Sequence, residues 1–554
     1  INLKNTKAHK FRYSKWNFLF LLVIITFIHC SKKPTLKIKR AETYFNNLGG
    51  EPSNLHPIKS TDLYSSIVQY YILESLLNRN EDTYEWESNL AKKWSISPDG
   101  KSFSFELFEN LKWSDGEDLT VKDIKFSFEA YRNPEYGGIR YLPYFEKMES
   151  VKILDEKTIQ FKIKEPYFKN FETIAGMDII PEHIYKDPKL KMSKNLIGSG
   201  PYKLDNYIRG KILVLKKNPL WSGKNHPANK GKWNFPTLVF RFVNSEADIL
   251  LRMEKEHLDF SHLSPEAFVE KTKKAPWGTK IKKVEYANKE PSGYGFIGLN
   301  FQKDLFKDLK VRKALALLLN RKLMNEKFRY NQSELVRGPW YFWSEYADPT
   351  IPPIKFNPQK ALQLLRSAGW ADKDKNGLLE KTIQGVKKEF RFTLIFANPE
   401  SEKYLTIYQE DLKKAGIKLN LKILDWSSFL RLLDDKNFDA TMLGWSGGSV
   451  DIDPKQIWHS ASSQHKGSNF ISYSNPKVDT LIDKARSQLN RKERIKTLKK
   501  VYRLIAKDVP YLFLFHNRKR FYGINKRILT PKPNFNYNIG MLFWKFKEPT
   551  LKKD

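Results

Sequence analysis

Between residues 357 and 445 the chain repeats a simple alternation of capped apolar helix and β-branched strand, and nothing else in the sequence limits the fold as strongly. "FNPQKALQLLRSAGW" places Asn357 as N-cap and Pro358 at the first helical position, where a missing N–H costs nothing. Ala361, Leu364, Leu365 and Ala368 fall on one face, and Gly369 supplies the stop. A strand over 390–397 follows, then a helix over 401–415 halted by Gly416, the strand "IKLNLKIL", a short helix near "WSSFLRLLDD" and a strand over 438–445. Strands alternating with helices predict a largely parallel α/β sheet.

The rest of the chain adds further sheets. Strand composition over 35–45 ends in the turn-rich "NNLGGEPSNLHP", and residues 64–77 carry apolar side chains at helical spacing. "SISPDGKSFSFELFENLKWSDGEDLT" predicts a hairpin with a Pro-Asp-Gly turn, and another strand pair is expected near 151–163. "GSGPYKLDNY" and "KILVLKKNPLW" resume a sheet from residue 198, and "GYGFIGLNF" leads into the helix "DLKVRKALALLLNRKLM". With 554 residues, 40% of them hydrophobic, the chain exceeds one core, so two or more domains are expected.

The first thirty residues read as an export address. Lys4, Lys7, Lys10, Arg12 and Lys15 precede an apolar run over 18–28, shorter than the roughly 20 residues of a spanning helix. Cys30, the only cysteine, follows at once, so no disulfide can form within the chain. The segment resembles a bacterial lipoprotein signal, which implies lipidation of Cys30, although His29 stands where such signals usually place a small residue. Basic residues from Lys32 to Arg40 would add attraction to anionic head groups beside the acyl chains. The net charge of +35 is otherwise dispersed, without a recognisable nucleic-acid module, and no nucleic-acid partner is expected.

"GWSGGSVDIDP" (444–454) draws attention because its strand ends at Trp445. In open α/β sheets ligands sit beyond the carboxyl ends of strands. An indole there offers a flat wall, and Gly447 and Gly448 leave main-chain groups open to a ligand, with Ser449 joining them in the expected site. Asp451 and Asp453 could accept charge-assisted hydrogen bonds from an amine, or Asp453 could simply cap the helix begun by "PKQIWHS".

These stretches resemble one family, the extracellular solute-binding proteins of family 5, the peptide and oligopeptide receptors of ABC importers. The resemblance rests on "GGEPSNLHP", "ILESLLNRN", "LAKKWSISPDGKSFSFELFENLKWSDGEDLTVKDIKFSFE", "GSGPYKL", "LKVRKALALLLNR", "PQKALQLLRSAGW" and "FDATMLGWSGGSVDIDPKQIWHSAS", in that order. It implies an α/β, two-lobed periplasmic-binding-protein fold with an extra inserted domain, mixed sheets flanked by helices and a ligand cleft between lobes. The implied organisation is a signal peptide at 1–29, a lipidated basic tether at 30–40 and a first lobe built from 41–73, 198–291 and 521–550. An inserted domain at 74–197 and a second lobe at 292–520 complete it. Peptide recognition by main-chain hydrogen bonds is also implied, with Ser60, Thr61, Asp62, Leu63 and Tyr64 pairing with the ligand backbone. Tyr294 and Asn300 join the cleft if the strand register turns them toward it. Many relatives carry an aspartate three positions after the loop tryptophan, for the ligand's α-amino group. Here Gly448 stands there, so either Asp451 or Asp453 replaces it or the ligand bears no free amine.

The expected function is capture of oligopeptides outside the cytoplasmic membrane and delivery to a permease with ATPase subunits, by a lipid-anchored monomer. Neither cofactor nor metal is expected: "DKDKNGLLEK" matches a calcium loop at Asp372, Asp374, Asn376 and Gly377 but has Ile383 at its twelfth position. No catalytic motif is present, and an enzyme is not expected. Two other readings remain open: a receptor of the same fold for another solute such as an oligosaccharide, and a basic surface protein holding anionic polymer.

Overall fold

Three larger β-sheets, packed against buried apolar clusters, organise the described residues. The computed structural model describes residues 38–190, 196–341, 343–464, 467–517, 519–531 and 535–548. The signal segment, Cys30 and the tether up to residue 37 lie outside the described residues. Of residues 38–43, Arg40–Glu42 form one 3₁₀ turn. No helix among the described residues is long and apolar enough to cross a membrane.

In chain order the first strand, β1 (Thr43–Asn47), leads through a turn-rich loop to helix α1 (Leu63–Ile72). The four strands β2 (Ala91–Ile96), β3 (Ser102–Leu107), β4 (Met148–Ile153) and β5 (Thr158–Ile163) form an antiparallel sheet in the order β2-β3-β5-β4. Period-two alternation drives it. Phe103, Phe105 and Leu107 point into one core with Phe161, Ile163 and helix α2 (Val121–Arg132), while the serines and glutamate between them face outward. Helix α2 starts in a capping box, with Thr120 accepting from the backbone of the first turn and Asp123 accepting from Thr120 N at 2.9 Å.

After residue 200 the chain enters β6 (Tyr202–Ile208), β7 (Ile212–Lys217), β8 (Thr237–Arg241), β9 (Phe260–Leu263) and β10 (Ile281–Tyr286). Their sheet has seven strands, β10-β16-β9-β1-β8-β7-β6, where β16 (Arg520–Asn525) returns from near the C-terminal end of the chain. One body therefore draws on three separated stretches of sequence. The third sheet contains β11 (Tyr294–Leu299), β12 (Arg391–Phe396), β13 (Lys418–Ile423), β14 (Ala440–Trp445) and β15 (Tyr511–Phe513), in the order β13-β12-β14-β11-β15. Helices α3 (Leu309–Leu317), α4 (Pro358–Ser367) and α5 (Glu402–Lys414) cover one face, and α6 (Trp426–Asp434), α7 (Pro476–Ser487) and α8 (Arg491–Asp508) cover the other.

The expected largely parallel sheet is thus half right. β12 runs parallel to β13 and β14, but β11 pairs antiparallel with both β14 and β15. The reason is topological: β11 and β15 come from outside the alternating segment, and no short crossover sets their direction. The caps expected for α4 are present, with Asn357 accepting from Lys360 N at 2.9 Å and Gly369 in the left-handed region at φ 86°.

Candidate functional site

Trp445 ends β14 directly opposite Tyr294 on β11. Its indole lies near-parallel to Phe296 at 6.0 Å and to Phe470 at 5.7 Å, and Nε1 donates to the Tyr511 hydroxyl at 3.3 Å. The ring is half-buried, stacked on two aromatic neighbours and tied by its Nε1 bond, so its orientation is set before any ligand arrives. A cavity of about 240 Å³ opens beside it, floored by Gly293, Gly295 and Gly444 and walled in part by Arg329, Tyr404 and Asn517.

Beyond Trp445 the loop residues Ser446, Gly447 and Gly448 are exposed. The two glycines differ in kind. A Cβ on Gly447 would fall 1.8 Å from the carbonyl oxygen of Pro291, so glycine is required where the two backbones cross. A Cβ on Gly448 would meet nothing within 4 Å, which leaves main chain accessible from that side. Ser449 places Oγ 3.5 Å from the Tyr84 hydroxyl, and Val450 N donates to the same hydroxyl at 3.4 Å.

The two acids of the loop are already paired. Asp451 accepts from the Tyr346 hydroxyl and from Arg491 Nε at 3.2 Å, with Arg494 at 3.6 Å. Burial pushes its carboxyl up, but the Tyr346 hydrogen bond and the two guanidinium groups outweigh this and hold it below the usual carboxylate range. Asp453 accepts from Arg486 Nε at 3.0 Å, from the Tyr167 hydroxyl and from Lys455 N at 3.0 Å, the last closing an Asx turn ahead of the helix Lys455–Trp458, whose N-cap is Pro454. Lone pairs on both carboxylates are spent inside the protein.

The other residues expected from sequence divide. Tyr294 is buried against Phe296 and Phe513 and borders the cavity, yet its hydroxyl makes no hydrogen bond. Asn300 is fully buried, donating to the carbonyls of Lys436 at 3.0 Å and Phe438 at 2.8 Å and accepting from Gln302 N at 3.0 Å. Register turns it into the body, not toward a cleft. The segment 60–64, expected to pair as extended chain with a ligand, instead begins a helix at Leu63. Asp62 is its buried N-cap, accepting from Ser65 N at 2.9 Å and Ser65 Oγ at 2.7 Å, because an acid at that position satisfies amides the first turn leaves free. Thr61 and Leu63 remain exposed, and Tyr64 lies over Gly50 with its ring 6.0 Å from Trp426 of α6.

Tyr64 to Trp426 is one of several contacts joining the two halves of the chain. Arg140 pairs with Asp434 at 2.7 Å, Tyr144 donates to Gln456 at 2.7 Å, Glu146 meets Lys455 at 2.9 Å, and Glu266 meets Lys403 at 2.8 Å. Arg486 donates to Glu146 at 2.5 Å and to the Pro143 carbonyl, and stacks 4.2 Å over the Tyr167 ring. Sequence reasoning missed Arg140, Glu146, Tyr167 and Arg486, since their partners lie far beyond the reach of any local pattern, from Asp453, 33 residues before Arg486, to Glu146, 340 residues before it.

An α/β frame with mixed sheets and a tryptophan-glycine corner at one strand end has well-defined relatives. The family model "Bacterial extracellular solute-binding proteins, family 5 Middle" matches residues 85–468. The chain belongs to this family. This family 5 protein is 28% identical over 480 residues to the oligopeptide-binding protein AppA of Bacillus subtilis, with 84% of each chain covered. It superimposes on the structure of AppA in complex with a nonapeptide with a TM-score of 0.81 at 25% identity, covering 91% of this chain and 99% of that one. NikZ from Campylobacter jejuni, in complex with Ni(L-His), gives a TM-score of 0.77 at 23% identity over 91% of this chain and 99% of that one, which supports the two-lobed α/β fold.

Proposed function

We propose that this family 5 protein captures oligopeptides outside the cytoplasmic membrane and passes them to an ABC permease with its ATPase subunits. The observation that carries the reading is the open main chain at Gly448 beside the fixed indole of Trp445, facing the half of the protein that holds Tyr84 and Tyr64. Bare backbone of this kind suits a ligand held through its own main chain, which tolerates many side chains. Lobe closure supplies the mechanism: contacts such as Arg140 with Asp434 form only when the halves meet, and a ligand between them stabilises that form. No chemical step is assigned to any residue.

The anchor proposed at Cys30 keeps the receptor near its permease, and the chain is taken to act as a monomer. The pairing of Asp451 and Asp453 with arginines argues against the expectation that one of them replaces the missing aspartate for the ligand's amine. Mass spectrometry of ligand released from protein purified under native conditions tests the function. Peptides are expected; sugars, metal chelates or buffer alone would overturn it.

A further inference from the structure

The hairpin of Leu77–Arg79 with Trp86–Ser88 and the loops around Trp221 and Tyr537 enclose a second cavity of about 470 Å³. It shares no lining residue with the cavity beside Trp445.

Its ionic groups do not balance. Arg79 lies 3.7 Å from Glu172 and stacks 3.6 Å over the Trp86 ring. Lys232 lies 3.4 Å from Glu81 and 3.7 Å from Glu87. Both lining cations are therefore matched, whereas Glu74 and Asp178, which also line the cavity, form no ion pair among the described residues. A lone β-bridge pairs Glu74 with Ile179, whose N donates to the Glu74 carbonyl at 2.8 Å, and so brings the stretch carrying Asp178 against the stretch carrying Glu74.

Glu74 is only 7% exposed. One carboxyl oxygen accepts from Trp221 Nε1 at 3.0 Å, and the other is buried without a hydrogen bond. Burial pushes Glu74 up to about 7 against the restraint of Trp221 and Ser199, and burial alone pushes Asp178 up to about 6. Each carboxylate thus lacks a positive partner that would repay its desolvation. Tyr70, Trp221 and Trp233 add aromatic faces, with the Tyr70 and Trp233 rings 5.7 Å apart. Acids without cations beside aromatic rings form a setting that favours a positively charged guest with an apolar body.

We propose that this cavity binds a compact organic ammonium ion, with Glu74 and Asp178 as counter-charges and Tyr70, Trp221 and Trp233 as walls, at a site that shares no lining residue with the cavity beside Trp445. Calorimetry and tryptophan fluorescence with 1-aminobutane and tetramethylammonium, at constant ionic strength and pH near 8, test it on the full chain. Saturable one-to-one binding is expected for at least one probe, weakened about tenfold by Asp178→Asn and again at pH near 5, where both carboxyls are protonated. Trp445→Ala, in the other cavity, leaves the affinity as it is. Absence of saturation, an unchanged affinity in Asp178→Asn, or an equal loss in Trp445→Ala overturns the proposal. Glu74→Gln supplies a second arm wherever its circular dichroism matches the parent, and the pH series on the unaltered protein needs no variant. Because the probes are cations and not peptides, the result does not depend on the outcome of the released-ligand experiment.

Discussion

Asp453 and Arg486 sit 3.0 Å apart with side chains 2% and 5% exposed, and Tyr167 and Glu146, beside the four-stranded sheet, complete the cluster. The pair lies where α7 meets the loops that flank β4 and β5. Removing one member leaves a buried charge uncompensated, at a cost of about 3–5 kcal/mol, whereas replacing both by apolar side chains relieves that penalty. Asp453→Ala and Arg486→Met should each lower the urea midpoint clearly, and the double variant should lie above the sum of the two. Strict additivity in the double-mutant cycle would show that the pair is not coupled.

Neither loop acid is free to recognise a ligand's amine. Asp451→Asn and Asp453→Asn are therefore expected to weaken free-amine and N-acetylated forms of a bound peptide equally, by calorimetry. A larger loss for the free-amine form would restore the amine-pairing role. Gly448→Asp supplies the missing acid in open space, and a charge-assisted hydrogen bond is worth about 1.5–3 kcal/mol. The variant should gain roughly tenfold or more for the free-amine form over the acetylated one.

The two glycines of the loop should respond oppositely to alanine. Gly447→Ala drives a methyl into the Pro291 carbonyl and must shift one of two crossing backbones, costing about 2 kcal/mol or more. Gly448→Ala meets nothing and should stay within about 0.5 kcal/mol of the parent. Equal thermal shifts for the two variants would contradict the crossing geometry.

His56 sets a pH dependence of stability. It is fully buried, Nδ1 accepts from Ile58 N at 3.2 Å, and Nε2 has no hydrogen bond. Burial, aided by Lys59, lowers it to about 4 from an ordinary 6.5. The unfolded chain therefore binds this proton first on acidification, so the contribution of His56 to stability is full above pH about 6.5 and is lost as pH drops toward 4, by about 3 kcal/mol at the end of that window. In His56→Asn the slope of unfolding free energy against pH between those limits should flatten. An unchanged slope would remove His56 as its source.

Much was legible from sequence because it depends on neighbours within about four residues. The Asn357 cap and Gly369 stop of α4, the alternation of Phe103, Phe105 and Leu107, and the strand end at Trp445 all follow from helix periodicity, strand pleat and turn chemistry. The same local rules also explain the Asp62 cap, which the resemblance had instead assigned to ligand pairing. The sequence by itself thus determined the elements, their faces and the family. Tertiary structure alone decided that β11 runs antiparallel, that Asn300 turns inward, and that Arg486 and Arg491 claim the loop acids. Those outcomes turn on which distant groups meet in low-dielectric surroundings, where a charge takes whichever partner the packing brings within reach, and no local pattern encodes that choice.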